Sequence, residues 1–151
     1  MNQDHRFDRD VMFQAPDGPV AIRRDARGIP FVRAAGWRGL FEGQGYATAC
    51  DRMWHIEHDR RRASGTLAAI TGERGHAQFD AFARRARLAD LARTGLARSD
   101  APTRAMCDAY VEGVNQRLAE RPALSTPFGR IGAPRPEPME SWEPLAIFLV
   151  R

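Results

Sequence analysis

The chain has 151 residues, 43% of them hydrophobic, with 23 basic against 19 acidic side chains and a formal net charge of +4. That length suits one unit with a modest core, and no linker, low-complexity tract or internal repeat divides residues 1–151. The longest apolar run, Leu145 to Val150, falls far short of the roughly 20 residues that span a bilayer.

The positive balance is carried by arginine, which invites a nucleic-acid reading. Yet the arginines are scattered along the chain, many beside Asp or Glu as in Arg24-Asp25, Asp51-Arg52 and Asp59-Arg60, without aromatic interleaving, helix-turn-helix or zinc spacing. Neither nucleic acid nor a membrane is expected as a partner. The opening MNQDHRFDRDVMFQ lacks the apolar stretch of a secretory signal, so the chain as given reads as cytoplasmic, or as periplasmic or secreted if a leader was removed.

In chain order, Val20-Ala21-Ile22 and Ile29 to Val32 are short apolar segments separated by Asp25-Ala26-Arg27-Gly28, whose Asp and Gly suit a tight turn. This predicts a β-hairpin, with Pro30 at the start of the second strand or on an edge because it lacks an amide donor. A hairpin alone is marginal in water, so it is expected to add to a sheet supplied by another chain. From Leu40 to Ala63, Tyr46, Ala49, Cys50, Met53 and Ile56 or Glu57 recur at helical steps and form an apolar stripe, with Arg52, His55 and Asp59 on another face. Gly65 is the expected stop, and Thr66 to Ile70 open a short helix. Further helices are predicted over Ala77 to Ala97 and over Thr103 to Arg121, with Pro102 at the start of the latter and Pro122 at its end. Pro122, Pro127, Pro134, Pro136 and Pro138 predict an irregular surface path up to Trp142. A last helix begins near Pro144 and holds the apolar run, which needs cover on all sides. The fold class is α+β, mainly helical with a short hairpin.

Candidate chemistry is sparse. Cys50 and Cys107 form no C-x-x-C pair and read as buried free thiols, with a disulfide as the alternative. His55 and His58 in HIEHD share a helix with Glu57 and Asp59, but zinc needs further ligands and no H-E-x-x-H spacing is present, so a polar face is the better reading and no metal is assigned. Asp51-Arg52 followed by Arg60-Arg61 reads as structural ion pairing, since a carboxylate among arginines stays ionised and is a poor general base. Ser64, Ser99, Ser125 and Ser141 lack a G-x-S-x-G elbow. No nucleophile is visible.

The run GQGYATACDRMWHIEHDRRRASG (Gly43 to Gly65), preceded by RRDARGIPFVRA and followed by FDAFARRARL and AYVEGVNQRL, has a distinctive order. Arg24-Asp25, Gly28, Pro30, Gly45-Tyr46, Ala49, Asp51-Arg52, Trp54, Glu57, Arg60-Arg61, Gly65, Asp80, Arg84, Tyr110, Gly113, Asn115 and Trp142 all fall where the penicillin acylase pattern has them. The chain resembles that family over roughly residues 20 to 145. The resemblance implies an N-terminal nucleophile hydrolase, made as a precursor that cuts itself into a small α and a large β chain, of which this is the α subunit. It further implies an obligate heterodimer completing an αββα fold, and hydrolysis of a linear amide in a small N-acyl substrate. The nucleophile would be the serine that begins the β chain, and no catalytic residue is expected on this one. Phe148 and Arg151, on the segment resembling the start of a pocket helix, are the candidate substrate contacts. Ala146 stands where the family has aspartate, which removes a capping carboxylate. That pocket helix usually runs on, so either the mature α chain ends early or more sequence follows Arg151 in the precursor. No cofactor is needed for the chemistry, and a structural calcium would take its ligands mainly from the β subunit. Two other readings are an acyltransferase of the same fold, passing the acyl group to an amine, and a non-enzymatic arginine-rich binding module.

Overall fold

The computed structural model describes residues 10–151. Three strands, β1 (Val11–Ala15), β2 (Gly18–Arg24) and β3 (Pro30–Ala34), form an antiparallel sheet in the order β1-β2-β3. The expected hairpin is β2-β3, in a register that sets Val20 opposite Ala34 and Arg24 opposite Pro30. A third strand was not expected: Val11 to Ala15 pairs with β2, so the hairpin already has a sheet within its own chain. Strand alternation turns Ala15, Val20 and Ile22 inward against Tyr46 and Ala47. The opposite face leaves Met12 and Phe31 exposed.

Helix α1 runs from Trp37 to Ser64. Its first amides, on Arg38 and Gly39, donate to the Asp17 carboxylate at 3.0 Å each, so the β1-β2 turn caps the helix from outside it. Gly65 ends it in the left-handed region at φ 68, where a Cβ would be strained. Inside α1 the backbone leaves helical geometry at Arg52, with φ −130 and ψ 23.

Helix α5 (Ala101–Ala119) begins under an Asp100 side chain that accepts from Thr103 N, with proline in its first turn. It crosses α1 with backbones in near contact. A Cβ on Gly45 would overlap the Tyr110 carbonyl, and one on Gly113 the Glu42 carbonyl. Ala49, Met53 and Ile56 of α1 thereby reach Val111, Val114 and Leu118 of α5, with Phe128 and Met139 closing this core.

Two expectations need correction. The stretch predicted as one helix over Ala77 to Ala97 is two, α3 (Arg74–Arg85) and α4 (Leu88–Arg98), after a short α2 (Ala68–Thr71). The break falls at Arg87, a non-glycine residue at φ 55, whose local turn the alanine-rich pattern conceals. The proline-rich stretch is not irregular throughout: it holds α6 (Thr126–Ile131), with proline in its first turn and Gly132 closing it at φ 63. Its Phe128 is 1% exposed and stands edge-on to Trp54, ring centroids 5.0 Å apart. Helix α7 (Glu143–Leu149) packs Ala146 with Ala63, Ala92, Trp142 and Val150 into a further core cluster. Cys50 and Cys107 are free and half-buried.

The α1-α5 crossing yields a paired expectation. Gly113→Ala should lower stability by about 1–3 kcal/mol, the range for forcing atoms into a packed site. Gly95→Ala, in α4 with open space around it, should raise stability by about 0.5–1 kcal/mol. Denaturant midpoints of the two variants check this; equal effects would contradict the close crossing.

Candidate functional site

The site is assembled where the second half of α1 meets α7. Glu57, at the end of the apolar stripe, is buried at 2% exposure, and Glu143 at the start of α7 at 5%. Arg60 joins them: its Nε donates to Glu143 Oε1 at 3.0 Å, and its Nη1 lies 3.5 Å from Glu57 Oε2. Arg60 Nη1 also donates to the Glu137 carbonyl at 2.6 Å, which pins the proline-rich connection. Arg61 holds the other Glu57 oxygen. Burial pushes the Glu143 carboxyl up, opposed by the Glu140 amide and by Arg60. Glu143 Oε2 accepts that amide at 2.7 Å, so a glutamate at the helix start closes the turn before α7 although Ala146 offers no carboxylate.

Beyond α7, Arg151 donates from Nε to Asp59 Oδ2 at 2.8 Å, and Asp59 Oδ1 lies 2.9 Å from His58 Nδ1. Asp59 is pushed up by burial, but the hydrogen bonds from His58 and Arg151 outweigh this and hold its carboxyl below the usual 3.8. Phe148 is 80% exposed and Leu149 also projects outward, so α7 carries an uncovered apolar edge beside a fixed guanidinium.

The other motif residues lie elsewhere. Asp51 forms a two-bond pair with Arg24, at 2.9 and 3.1 Å, and Arg24 also donates to the Gly28 carbonyl at 2.7 Å. Arg52 is exposed and makes no ion pair among the described residues. Asp80 is buried and accepts from Leu67 N at 3.1 Å and Ala68 N at 2.8 Å, ordering the turn after α1. Arg84 donates to the Gly65 carbonyl. The Asn115 amide clasps the Met139 backbone in both directions, at 2.9 and 2.7 Å. Arg52 apart, these residues build a scaffold that ties together segments separated in sequence.

A cleft of ≈ 390 Å³ opens between α1, α5 and α7, lined by Arg52, His55, Ile56, Tyr110, Ile147 and Arg151 among others. His55 faces it while His58 turns to Asp59, so the two histidines of HIEHD are divided. Among the described residues no group of three or more His, Cys, Asp or Glu could hold a metal, and the calcium implied by resemblance gains no ligand set from them. A hydroxyl–imidazole pair that the sequence did not suggest joins Thr71 Oγ1 to His76 Nδ1 at 2.8 Å. Glu73 approaches the same nitrogen at 3.5 Å, so it does not orient the ring from the opposite side as a catalytic relay requires. Glu57 was legible only as a stripe position, and Glu143 was not singled out in the sequence.

Because the Asp59 carboxyl is lowered, its contribution to stability is complete above 3.8 and is lost as pH falls through the folded value. Carboxyl NMR should give a midpoint below 3.8 that Arg151→Ala moves upward. An unmoved midpoint would contradict the Arg151 contact.

The sequence profile of the family described as penicillin amidase matches residues 19–151. The penicillin acylase 2 proenzyme of Pseudomonas sp. (strain SE83) is 35% identical over 129 residues, 85% of this chain and 16% of that protein. Penicillin G acylase of Escherichia coli is 32% identical over 96 residues, 64% of this chain and 11% of that protein. The chain therefore spans less than a fifth of the length of the curated relatives it matches. In structure it is similar to the thermostable penicillin G acylase from Alcaligenes faecalis in tetragonal form, with a TM-score of 0.74 at 26% identity, covering 92% of this chain and 71% of that one. The mainly helical architecture with its small antiparallel sheet matches that fold, and no described helix is long and apolar enough to cross a membrane. With the profile running from the sheet to the end of α7, the chain belongs to the penicillin amidase family of N-terminal nucleophile hydrolases.

Proposed function

We propose that this chain is the α subunit of an amidohydrolase that cleaves a linear amide in a small N-acyl substrate, paired obligately with a β subunit cut from the same precursor. The observation that carries the reading is the match over 85% of this chain to 16% of a penicillin acylase proenzyme. The two chains together would form one αββα unit. In this reading the first residue of the β subunit is a serine whose own α-amine, with a pKa of about 7.7–8.0, serves as general base. Backbone and side-chain donors on that subunit would stabilise the oxyanion, and water would release the acid from the acyl-enzyme.

The part assigned to this chain is scaffold and one wall of the acyl site. Phe148 would contact the acyl group and Arg151 would border it. Their support is physical: a large aromatic side chain left 80% exposed on a helix, beside a guanidinium fixed on Asp59, suits a surface that is covered when the site is complete.

Expression of the full reading frame, with intact mass and N-terminal sequencing, tests the pairing. The expected result is this chain with a second, larger one beginning with serine, and an uncut precursor when that serine is replaced by alanine. A lone soluble 16.9 kDa chain would contradict it. In the paired protein, Phe148→Ala should lower kcat/KM for N-acyl substrates by about tenfold or more, as loss of an apolar pocket contact does. An unchanged value would remove Phe148 from the acyl site.

A further inference from the structure

We propose that the cleft between α1, α5 and α7 is a binding site for a small organic carboxylate carrying a short apolar body. Its lining is two-sided. Arg52, His55 and Arg151 supply donors, while Ile56 and Ile147 supply an apolar wall, within ≈ 390 Å³. No carboxylate is among its lining residues. Several other arginines are matched locally, as Arg24 is by Asp51, Arg38 by Glu112 and Arg60 by Glu143. Arg52 has no such partner among the described residues, although it stands beside Asp51 in sequence, whose carboxylate accepts from Arg24.

Arg52 is also the residue at which α1 leaves helical geometry. On one side Asp51 is held by Arg24, and on the other Met53 is buried in the core. The backbone that presents Arg52 to the cleft is therefore fixed at both flanks, which lowers the ordering cost of binding. Arg151 is anchored too, but Asp59 engages its Nε and Nη2 and leaves Nη1 to donate elsewhere. Guanidinium groups match carboxylates by planar, charge-assisted hydrogen bonds. The isoleucine wall sets the class, favouring an anion with an apolar body over a fully solvated one such as phosphate. The inference stands on the cleft alone and does not require the amidase reading.

The test uses hexanoate, hexanamide and inorganic phosphate as probes, with binding read by ligand-observed NMR titration. The protein is whatever is purified from the full reading frame, cut or uncut. Hexanoate should bind about tenfold or more tighter than hexanamide, the effect of a charge-assisted bond, and tighter than phosphate. Arg52→Ala should weaken hexanoate by about tenfold, and Arg52→Lys should restore part of the loss. Hexanoate binding no tighter than hexanamide, or unaltered by Arg52→Ala, would overturn the proposal. So would a cut protein that takes neither probe because a partner side chain fills the cleft. The hexanoate-hexanamide comparison is made on the unaltered protein and does not depend on a variant folding. Amidase activity is not the readout, so a failed amidase reading and a failed carboxylate site give different results.

Discussion

Two carboxylates, Glu57 and Glu143, lie buried on opposing helices, and Arg60 is the cation between them. A buried carboxylate without a partner is expensive, so removing Arg60 is expected to cost about 3–5 kcal/mol, well above the worth of a surface ion pair. The same guanidinium reaches the Glu137 carbonyl, and Glu143 in turn takes the Glu140 amide. The path of the connection into α7, its first turn and its seat on α1 therefore share one electrostatic centre. Asp59, next to Arg60 in sequence, makes with Arg151 a second, more exposed tie. The orientation of Phe148 and of the cleft beside it follows from these two attachments.

The residues that carry the family resemblance do mostly architectural work. Gly45 and Gly113 remove side chains where α1 and α5 touch, Asp80 and Arg84 order the turn at Gly65, and Asn115 clasps Met139. A chain that spans so little of its relatives' length can share a strong signature with them for this reason: the pattern records how this helical scaffold is built. Arg52 differs from the rest, being a motif residue whose described surroundings give it no structural bond.

What was readable in the sequence was local. The β2-β3 turn, the stop of α1 at Gly65 and the proline start of α5 each depend on a few adjacent residues whose backbone preferences are strong. What was not readable depended on distant partners or on weak signals. Strand β1 has the sequence Val-Met-Phe-Gln-Ala, without clean alternation, and gains its identity from pairing with β2. The α3-α4 break is made by arginine at a positive φ, a position that composition assigns to glycine or asparagine. Helix α6 did carry a signal, Ser125 before Thr126-Pro127 with Gly132 after, which the density of prolines masked. The Arg60-Glu143 pair joins residues 83 positions apart, so the sequence suggested ion pairing at Arg60 but not its partner.

The most direct measurement is a double-mutant cycle between Arg60 and Glu143, using Arg60→Ala, Glu143→Gln and the pair, read as unfolding free energies of the purified protein. If this ion pair is what seats α7 on α1, the two substitutions will be coupled by about 2 kcal/mol. Effects that add to within about 0.5 kcal/mol would mean that α7 is held by its apolar contacts alone, and would contradict the account.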